Sequence, residues 1–191
     1  MFLDLVKETR SVRRFLNERK IQEDTLVNLI NLARLTPSGA NKQPLKYMTV
    51  NTQEVCDKVF ATLAWAGYIK DWDGPVKEEQ PVSYILMLRD SNIQKPLSFD
   101  DGIAAQTILL GARELGIGGC FIGNIKRTEL RDILQIPEQY EISLVIALGY
   151  PKEEIKLHEI EDGQSIEYFR DNNQIHHVPK RKLEDIILDK K

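Results

Sequence analysis

The sequence predicts a domain that combines helices with strands. Residues 82–88 and 142–148 are continuous apolar runs rich in β-formers, which is typical of strands covered on both faces. Residues 98–115 contain a long apolar segment with helical features. The 191 residues show no internal repeat, low-complexity tract or Gly/Ser linker, so we expect one domain over 1–191.

The first third of the chain predicts a helix, a strand and a second helix. Apolar residues recur at helical spacing over 26–33, after the acidic pair Glu23 and Asp24, and Pro37 stops that helix. A short strand is predicted over 47–50, and a helical pattern resumes over 55–66.

The middle of the chain carries a loop and the two strongest elements. Residues 67–81 mix charged residues, Gly, Pro and aromatics with neither the helical nor the strand period, and we interpret them as a loop or lid. Residues 82–88 belong at the sheet centre. In the helix of 98–115, Asp100 and Asp101 favour the positive end, and its apolar surface predicts burial. Gly116 offers a left-handed stop.

The last third predicts short elements. Residues 118–124 are predicted to form a glycine-rich turn, which is followed by a short helix that begins at Thr128. Strand pieces over 166–170 and 174–178 flank Asp171-Asn172-Asn173, where Asn tolerates the positive φ of a tight turn. The final residues, 178–191, are a candidate for addition to the sheet of a partner if their own subunit offers no room for them.

Composition and charge exclude several classes of protein. The chain is 42% hydrophobic and 29% charged, which excludes disorder. The net charge is −3, and the 26 basic residues form no stripe for nucleic-acid phosphates. No segment approaches the ~18 apolar residues of a membrane span. Cys56 and Cys120 form no paired motif, which indicates a reducing compartment; we expect a cytoplasmic protein with no nucleic-acid or membrane partner.

Two basic clusters are candidate phosphate sites. Arg10, Ser11, Arg13 and Arg14 place three guanidiniums and a hydroxyl within five positions. Arginine forks pair bidentately with phosphate oxygens, and a hydroxyl adds a donor. A second cluster, 178–182, lies near the other end of the chain. Taken alone, each cluster is better interpreted as a solvated basic segment.

Two further segments are candidates for binding a planar heterocycle. In the turn over 36–44, Ser38, Asn41 and Gln43 can hydrogen-bond carbonyl and imide edges, while Gly39 allows close backbone approach. A simple helix-ending loop remains the alternative. Residues 118–124 could present backbone amides to a cofactor, although they match neither GxGxxG nor the P-loop.

The histidines predict no metal site. His176 and His177 are adjacent, so on a strand they point to opposite faces and favour a surface or interface role. His158 has no ligand spacing around it. Cys120 is expected to be a small buried hydrophobe.

Taken in order, seven motifs give the chain a resemblance to the nitroreductase family of flavin enzymes. They are RSVRRF at 10–15, PSGANKQP at 37–44, WAGYIKDWDGP at 65–75, DDGIAAQTILL at 100–110, LGIGGCFIG at 115–123, VIALGYPKE at 145–153 and HHVPKR at 176–181. The resemblance implies an α+β fold with a mostly antiparallel central sheet flanked by helices. It also implies a homodimer with FMN at the subunit interface and a C-terminal arm that extends onto the partner subunit.

The resemblance assigns cofactor-binding roles by position. Residues expected to bind the phosphate and ribityl chain come from both chain ends: Arg10, Ser11, Arg13, Lys180 and Lys182. The turn supplied to the flavin ring by the other subunit comprises Pro37, Ser38, Gly39 and Asn41. Ile122 and Gly123 match the backbone stretch beside flavin N5. Gln43 is an additional candidate, while Arg14 and Arg181 are interpreted as solvated neighbours.

The activity implied is ping-pong reduction of a small organic acceptor, such as a nitro compound or quinone, by NADH or NADPH through flavin N5, with no catalytic side chain. Dehalogenation, flavin fragmentation, azoline oxidation and a non-turnover flavin-binding or regulatory module remain alternatives. Leu45 stands where many members carry Trp. Aromatic residues that could line the pocket or simply pack in the core or an interface are Trp65, Tyr68, Trp72 and Phe121.

Overall fold

The computed structural model describes residues 1–93 and 99–189. Ser98, at the predicted start of the long helix, lies outside the described residues, as do positions 190–191 of the predicted terminal arm.

Helices and strands alternate irregularly along the described chain. The helices are α1 (Phe2–Glu8), α2 (Glu23–Arg34), α3 (Gln53–Phe60), α4 (Asp100–Glu114), α5 (Arg127–Leu134) and α6 (Leu183–Ile186). The strands are β1 (Leu45–Val50), β2 (Ser83–Asp90), β3 (Gly118–Ile122), β4 (Tyr140–Gly149), β5 (Ile155–Ile160), β6 (Phe169–Arg170) and β7 (His176–Arg181).

The first sheet has the strand order β1-β2-β4-β3, and every neighbouring pair in it is antiparallel. Strand β2 lies inside this sheet and is buried at nearly every position, which confirms the prediction for 82–88. The mixture of helices with an antiparallel sheet confirms the α+β class.

Core residues of β2 alternate between the two faces of the sheet. Ile85 and Met87 join a cluster with Leu29 of α2 and Ile108 of α4, whereas Leu86 joins the cluster on the α3 and α5 side. This period of two follows from the pleat of the strand. Each fully buried aliphatic side chain contributes about 1.5–3 kcal/mol to the stability of the fold.

Helix α4 packs against α2 on one side and is open on the other. A Cβ at Gly111 would lie 2.4 Å from a methyl of Leu32, so this glycine sets the close approach of the helices. The sequence predicts that this helix is buried, but α4 is not buried on all sides, because Ile103 is 40% exposed. The left-handed stop at Gly116 is confirmed, with φ +72°. Within 1–93 and 99–189, no helix is both long and apolar enough to span a bilayer.

Three predicted boundaries were wrong. Residues 118–122 form β3 rather than a turn. Gly119 allows β3 to pair closely with β4, because a Cβ at this position would lie only 2.8 Å from the carbonyl oxygen of Ala147. Helix α5 begins at Arg127 without a side-chain cap, so Thr128 lies inside it. The helix predicted over 55–66 ends at Phe60.

The second sheet has the order β5-β7-β6, with β7 parallel to β5 and antiparallel to β6. In the turn before β7, Asp171 accepts hydrogen bonds from the amides of Asn173 and Ile175, both at 2.9 Å. The positive φ lies at Gln174 (+63°) rather than at an asparagine. Strand β7 therefore pairs within its own chain, and extension of the arm onto a partner stays a prediction for the exposed residues that follow it.

A partly buried ion cluster joins three separate segments of the chain. The Glu79 carboxylate accepts from Arg14 Nε at 2.5 Å and Nη2 at 2.8 Å, and Lys152 Nζ lies 3.1 Å away. Hydrogen bonding from Arg14 is the main cause that lowers the pKa of Glu79 to about 2. The cluster fixes the end of the 67–81 loop against the N-terminal segment.

We expect Glu79→Gln to destabilise the protein at neutral pH by roughly 2–3 kcal/mol. Because the folded-state pKa of Glu79 is lower than the ordinary value of 4.5, its contribution is complete above about pH 5 and is lost as the pH falls towards 2. Urea unfolding between pH 7 and pH 3 should therefore show a shallower pH dependence for this variant. The exposed Glu78→Gln is the matched control, and an unchanged slope in Glu79→Gln would contradict the assignment.

Candidate functional site

A cavity of ≈ 260 Å³ lies between the N-terminal segment, α4, β3 and the second sheet. We call it the basic cavity. Its lining residues combine cationic, hydroxyl and aromatic side chains: Thr9, Arg10, Ser11, Arg13, Gln106, Leu109, Phe121, Tyr168, His176, Val178 and Lys180.

The N-terminal segment reaches the cavity because its apolar residues are anchored in the core. Ser11 bridges to Gly119 of β3, and the amide of Val12 donates to the Gly119 carbonyl at 3.0 Å. Phe15 is 0% exposed and packs against Gly149, where a Cβ would lie 2.7 Å from its ring. Burial of Val12 and Phe15 leaves Thr9, Arg10, Ser11 and Arg13 to line the cavity, whereas Arg14 turns to Glu79.

The Glu153 side chain is fully buried, and its carboxylate lies against the backbone of Arg13 and Arg14. It accepts hydrogen bonds from the backbone amides of Arg13 and Arg14 and from Arg170 Nη2, the last at 3.1 Å. The guanidinium of Arg170 also stacks on Trp72 at 4.1 Å from the ring centroid. One carboxylate thus connects the N-terminal segment to β6 and to the 67–81 loop.

The Arg13 guanidinium is held without an ion pair. Its Nη1 lies 3.3 Å from the Ser11 carbonyl oxygen and 3.4 Å from His176 Nε2, and the group packs over Tyr168 at 4.9 Å. Within residues 1–93 and 99–189, no carboxylate side chain pairs with it. Its positive charge is therefore available to a ligand in the cavity.

Arg10 is a second cation with unused hydrogen-bonding capacity. Its Nη2 donates to the Val6 carbonyl at 2.9 Å, while its buried Nε has no acceptor among the described residues. Burial lowers the pKa of Arg10. A buried donor without a partner is costly, so this atom indicates that an acceptor belongs next to Arg10.

His176 is 1% exposed, so the prediction of a surface or interface position was wrong for this residue. Burial, together with the charges of Arg13 and Arg170, lowers its pKa to about 4. The prediction that the two histidines face opposite ways is confirmed, because the His177 ring contacts Asp171 at 3.1 Å and stacks on Phe169.

The basic cavity brings together four of the five residues predicted to bind phosphate: Arg10, Ser11, Arg13 and Lys180. Lys182 does not line it, because its Nζ pairs with Glu161 at 2.6 Å. Arg14 was predicted to be a solvated neighbour, and this was wrong because it forms the buried pair with Glu79. Arg181 is exposed and lies 3.5 Å from Asp162.

A neighbouring cavity of ≈ 150 Å³ shares Arg13 and Phe121 with the basic cavity. Its other lining residues come from the segment that follows α3 and from β3 and the residues after it: Ala64, Trp65, Ala66, Cys120, Ile122, Gly123 and Asn124. The predicted ring-contact residues Ile122 and Gly123 therefore adjoin the predicted phosphate residues. Burial raises the pKa of the Cys120 thiol, which is consistent with the expected small buried hydrophobe.

The turn after α2 lies apart from both cavities. Ser38 Oγ donates to Asp100 Oδ2 at 2.5 Å, and the Gly39 amide donates to Oδ1 at 3.0 Å. Pro37 and Ser38 line a third cavity of ≈ 230 Å³ that has no lining residue in common with the basic cavity. Within one chain, Pro37, Ser38, Gly39 and Asn41 are thus not brought to the predicted phosphate residues. The side-chain amide of Gln43 donates to the Asn41 carbonyl at 3.1 Å.

The aromatic residues of the 65–81 region divide into packing and lining roles. Trp65 is buried against Phe60 and Gly74, where a Cβ would lie 2.7 Å from the indole; this supports core packing, although Trp65 also lines the smaller cavity. Trp72 stacks on Arg170, and Tyr68 contacts Tyr168 edge-on at 5.0 Å. The predicted lid is therefore attached to the second sheet at two points.

Sequence reasoning missed several residues of the basic cavity. Tyr168 lies outside the seven motifs, and Gln106 lies inside the motif at 100–110 with nothing there to distinguish it as a lining residue. His176 lies inside the motif at 176–181, where its adjacency to His177 predicts a surface or interface position. The one available signal was the position of His176 in the same strand as Lys180, because residues i and i+4 of a strand share a face.

Comparison with known proteins assigns the chain to a family. The family model described as the nitroreductase family matches residues 6–84 and 85–150, so this chain belongs to the nitroreductase family. A protein of Archaeoglobus fulgidus, provisionally named NADH dehydrogenase/NAD(P)H nitroreductase, is 29% identical over 168 residues, which cover 84% of this chain and 91% of that protein.

Two other similar proteins are informative about chemistry and fold. An iodotyrosine deiodinase of Thermotoga neapolitana is 27% identical over 169 residues, covering 79% of this chain and 89% of that protein. A crystal structure of a provisionally named nitroreductase from Desulfovibrio desulfuricans, in complex with FMN, superposes with a TM-score of 0.69 at 21% identity and covers 99% of this chain and 96% of that one. The latter establishes the likeness of the fold.

We expect Glu153→Ala to destabilise the protein by about 3–5 kcal/mol, because it leaves the largely buried Arg170 without its anion and two amides without their acceptor. The adjacent Glu154→Ala is the matched control, since Glu154 makes only an exposed pair with Lys156 and its removal should change little. Chemical unfolding monitored by circular dichroism measures both. Equal effects in the two variants would contradict the role given to Glu153.

Proposed function

We propose that this protein is an FMN-dependent oxidoreductase that uses NADH or NADPH to reduce a small organic acceptor. The observation that carries the proposal is the convergence of Arg10, Ser11, Arg13 and Lys180, from opposite ends of the chain, on one cavity. Membership of the nitroreductase family and the FMN bound in a protein of the same fold support it.

The basic cavity fits a phosphate ester in charge and in hydrogen bonding. A dianionic phosphate needs several donors and a compensating positive charge. Arg13 has no carboxylate partner within the described residues, and the buried Nε of Arg10 has no acceptor there. The Ser11 hydroxyl and the exposed Lys180 add two further donors. An anionic ligand would satisfy groups that the described chain leaves unsatisfied.

The smaller cavity supports a position for the flavin ring. It adjoins the basic cavity through Arg13 and Phe121, so an elongated ligand with an anionic end and a planar end can extend across both. In this arrangement Ile122 and Gly123 would lie beside the ring. Phe121, which is exposed, would provide an apolar surface next to it.

A second copy of the chain would complete the site. Asp100 holds Ser38 and Gly39 in one conformation, and Ala40, Asn41 and Gln43 adopt positive φ of 49–54°. This fixed turn lies away from the basic cavity of its own chain, so Pro37, Ser38, Gly39 and Asn41 would reach flavin only from a partner. Lys182 would have to leave Glu161 to contact the phosphate.

Bound FMN would supply the redox chemistry, exchanging hydride with NAD(P)H and then with the acceptor at the same ring face. The chain would bind and orient. Arg10, Ser11, Arg13 and Lys180 would hold the phosphate, and Arg13 or Asn41 would stabilise negative charge at the ring's N1 and O2 edge. Neither His176, which burial keeps neutral at pH 7, nor the buried Cys120 thiol is needed as a proton donor.

The direct test is an absorbance spectrum of the purified protein, with released cofactor identified, followed by anaerobic addition of NADH or NADPH. We expect a flavin spectrum that bleaches on addition of at least one nucleotide. Failure to bind added FMN would contradict the proposal at its centre. Bound FMN that resists both nucleotides would instead favour the non-turnover module.

Substitution of single cations tests the phosphate site. We expect Arg13→Ala and Lys180→Ala each to weaken FMN binding by roughly tenfold or more, because each removes a charge-assisted contact to the phosphate. Arg181→Ala is the matched control, since Arg181 neighbours Lys180 but does not line the cavity. Fluorescence titration with FMN measures the affinities, and a loss in Arg181→Ala equal to that in Lys180→Ala would contradict the assignment.

Reductive dehalogenation is a second candidate, favoured by the likeness to the iodotyrosine deiodinase of Thermotoga neapolitana. A chemically reduced, FMN-loaded protein offered iodotyrosine, a nitroaromatic compound and a quinone in parallel would separate the two. Iodide release that exceeds reduction of the other two acceptors would favour the dehalogenase.

A further inference from the structure

His176 stands out among the buried polar groups because neither family position nor sequence motif gave it a role. It lies on β7 and is 1% exposed, four residues before Lys180 on the same face of the strand. It lines the basic cavity. Its Nδ1 is buried and has no hydrogen-bond partner among the described residues.

The neighbours of His176 determine which ring nitrogen carries the proton. The ring is neutral at pH 7, since burial and the adjacent cations lower its pKa to about 4. A guanidinium has only donors, so at 3.4 Å from Arg13 Nη1 the His176 Nε2 must be the acceptor. The hydrogen of the neutral ring therefore lies on Nδ1.

This tautomer makes the orphan atom a donor. A buried N–H that lacks an acceptor in the protein is destabilising and is expected only where a ligand or water completes the hydrogen bond. A second orphan donor is Nε of Arg10, a residue that also lines this cavity. Together they indicate a ligand that accepts several hydrogen bonds.

From these observations we propose that His176 binds the phosphate ester of the cofactor through Nδ1–H while its Nε2 orients Arg13 towards the same group. The ring would thus act twice, as a direct phosphate contact and as the residue that positions Arg13. The aromatic ring of Tyr168 packs against both the imidazole (5.3 Å) and the Arg13 guanidinium (4.9 Å), which restricts the pair to one arrangement. This inference rests on the proposed function and adds a phosphate-binding residue to the site.

Two amide substitutions separate the two roles. The amide of asparagine occupies roughly the position of Nδ1, and that of glutamine roughly the position of Nε2, and either can donate or accept. His176→Asn therefore keeps a donor for phosphate, whereas His176→Gln keeps only the contact with Arg13. His177→Gln is the matched control, because its side chain lies on the opposite face of β7.

The readout is the dissociation constant for riboflavin divided by that for FMN. Because riboflavin lacks the phosphate, this ratio isolates the contribution of the phosphate to the affinity. We expect His176→Gln to reduce this ratio about tenfold through weaker FMN binding, with riboflavin affinity unchanged. His176→Asn should reduce the ratio less, by about threefold, because it keeps the phosphate donor and loses only the contact that orients Arg13, and His177→Gln should leave the ratio unchanged. An unchanged ratio in His176→Gln, or a loss confined to His176→Asn, would overturn the direct contact.

A measurement on the unsubstituted protein keeps the inference testable if these variants do not fold. Nitrogen-15 NMR of the His176 ring should show an unprotonated Nε2 and a protonated Nδ1. The Nδ1–H resonance should move on addition of FMN or inorganic phosphate and remain in place with riboflavin. Protonation at Nε2, or a resonance that inorganic phosphate and FMN both leave unmoved, would overturn it.

The same experiments distinguish this inference from the proposed function. A chain that binds no flavin but whose Nδ1–H responds to inorganic phosphate would refute the FMN assignment and retain the phosphate contact. A chain that binds and reduces FMN with an unchanged His176→Gln ratio would retain the oxidoreductase and refute the role of His176.

Discussion

The buried carboxylate of Glu153 is the interaction on which the candidate site depends. It accepts from the amides of Arg13 and Arg14 and from the guanidinium of Arg170, so one side chain bonds the N-terminal segment to the second sheet. Its negative charge also compensates cations that burial would otherwise make unfavourable. Without this carboxylate, the residues that form the basic cavity would lose their common support.

The charges of this region are divided between pairs that hold the fold and cations left for a ligand. Arg14 and Arg170 each have a carboxylate partner, Glu79 and Glu153 respectively. Arg13 has no such partner in the described chain, and instead contacts Tyr168 and His176. A cation held by neutral groups keeps most of its field available, which is the arrangement that anion binding requires.

The site also explains why the 67–81 loop has a defined course despite its irregular sequence. Gly74 allows the backbone to pack on Trp65, Trp72 covers Arg170, and Glu79 pairs with Arg14. The 67–81 loop is therefore anchored to three different parts of the chain, through Gly74, Trp72 and Glu79. The predicted turn at 118–124 became a strand for a related reason, because Gly119 lets β4 approach closely enough to form the ladder.

The sequence by itself determined the elements whose side-chain period is strong and local. The pattern identifies residues 82–88 and 142–148 as buried strands, and 26–33 and most of 98–115 as helices. The resemblance to the nitroreductase family, rather than any local pattern, makes the basic clusters at 10–14 and 178–182 candidates for one anion. Only the tertiary structure decided which cations are paired, because Glu79 and Glu153 are distant in sequence from the arginines that they contact. It also decided that His176 is buried, since burial depends on what packs over a strand rather than on the strand's own sequence.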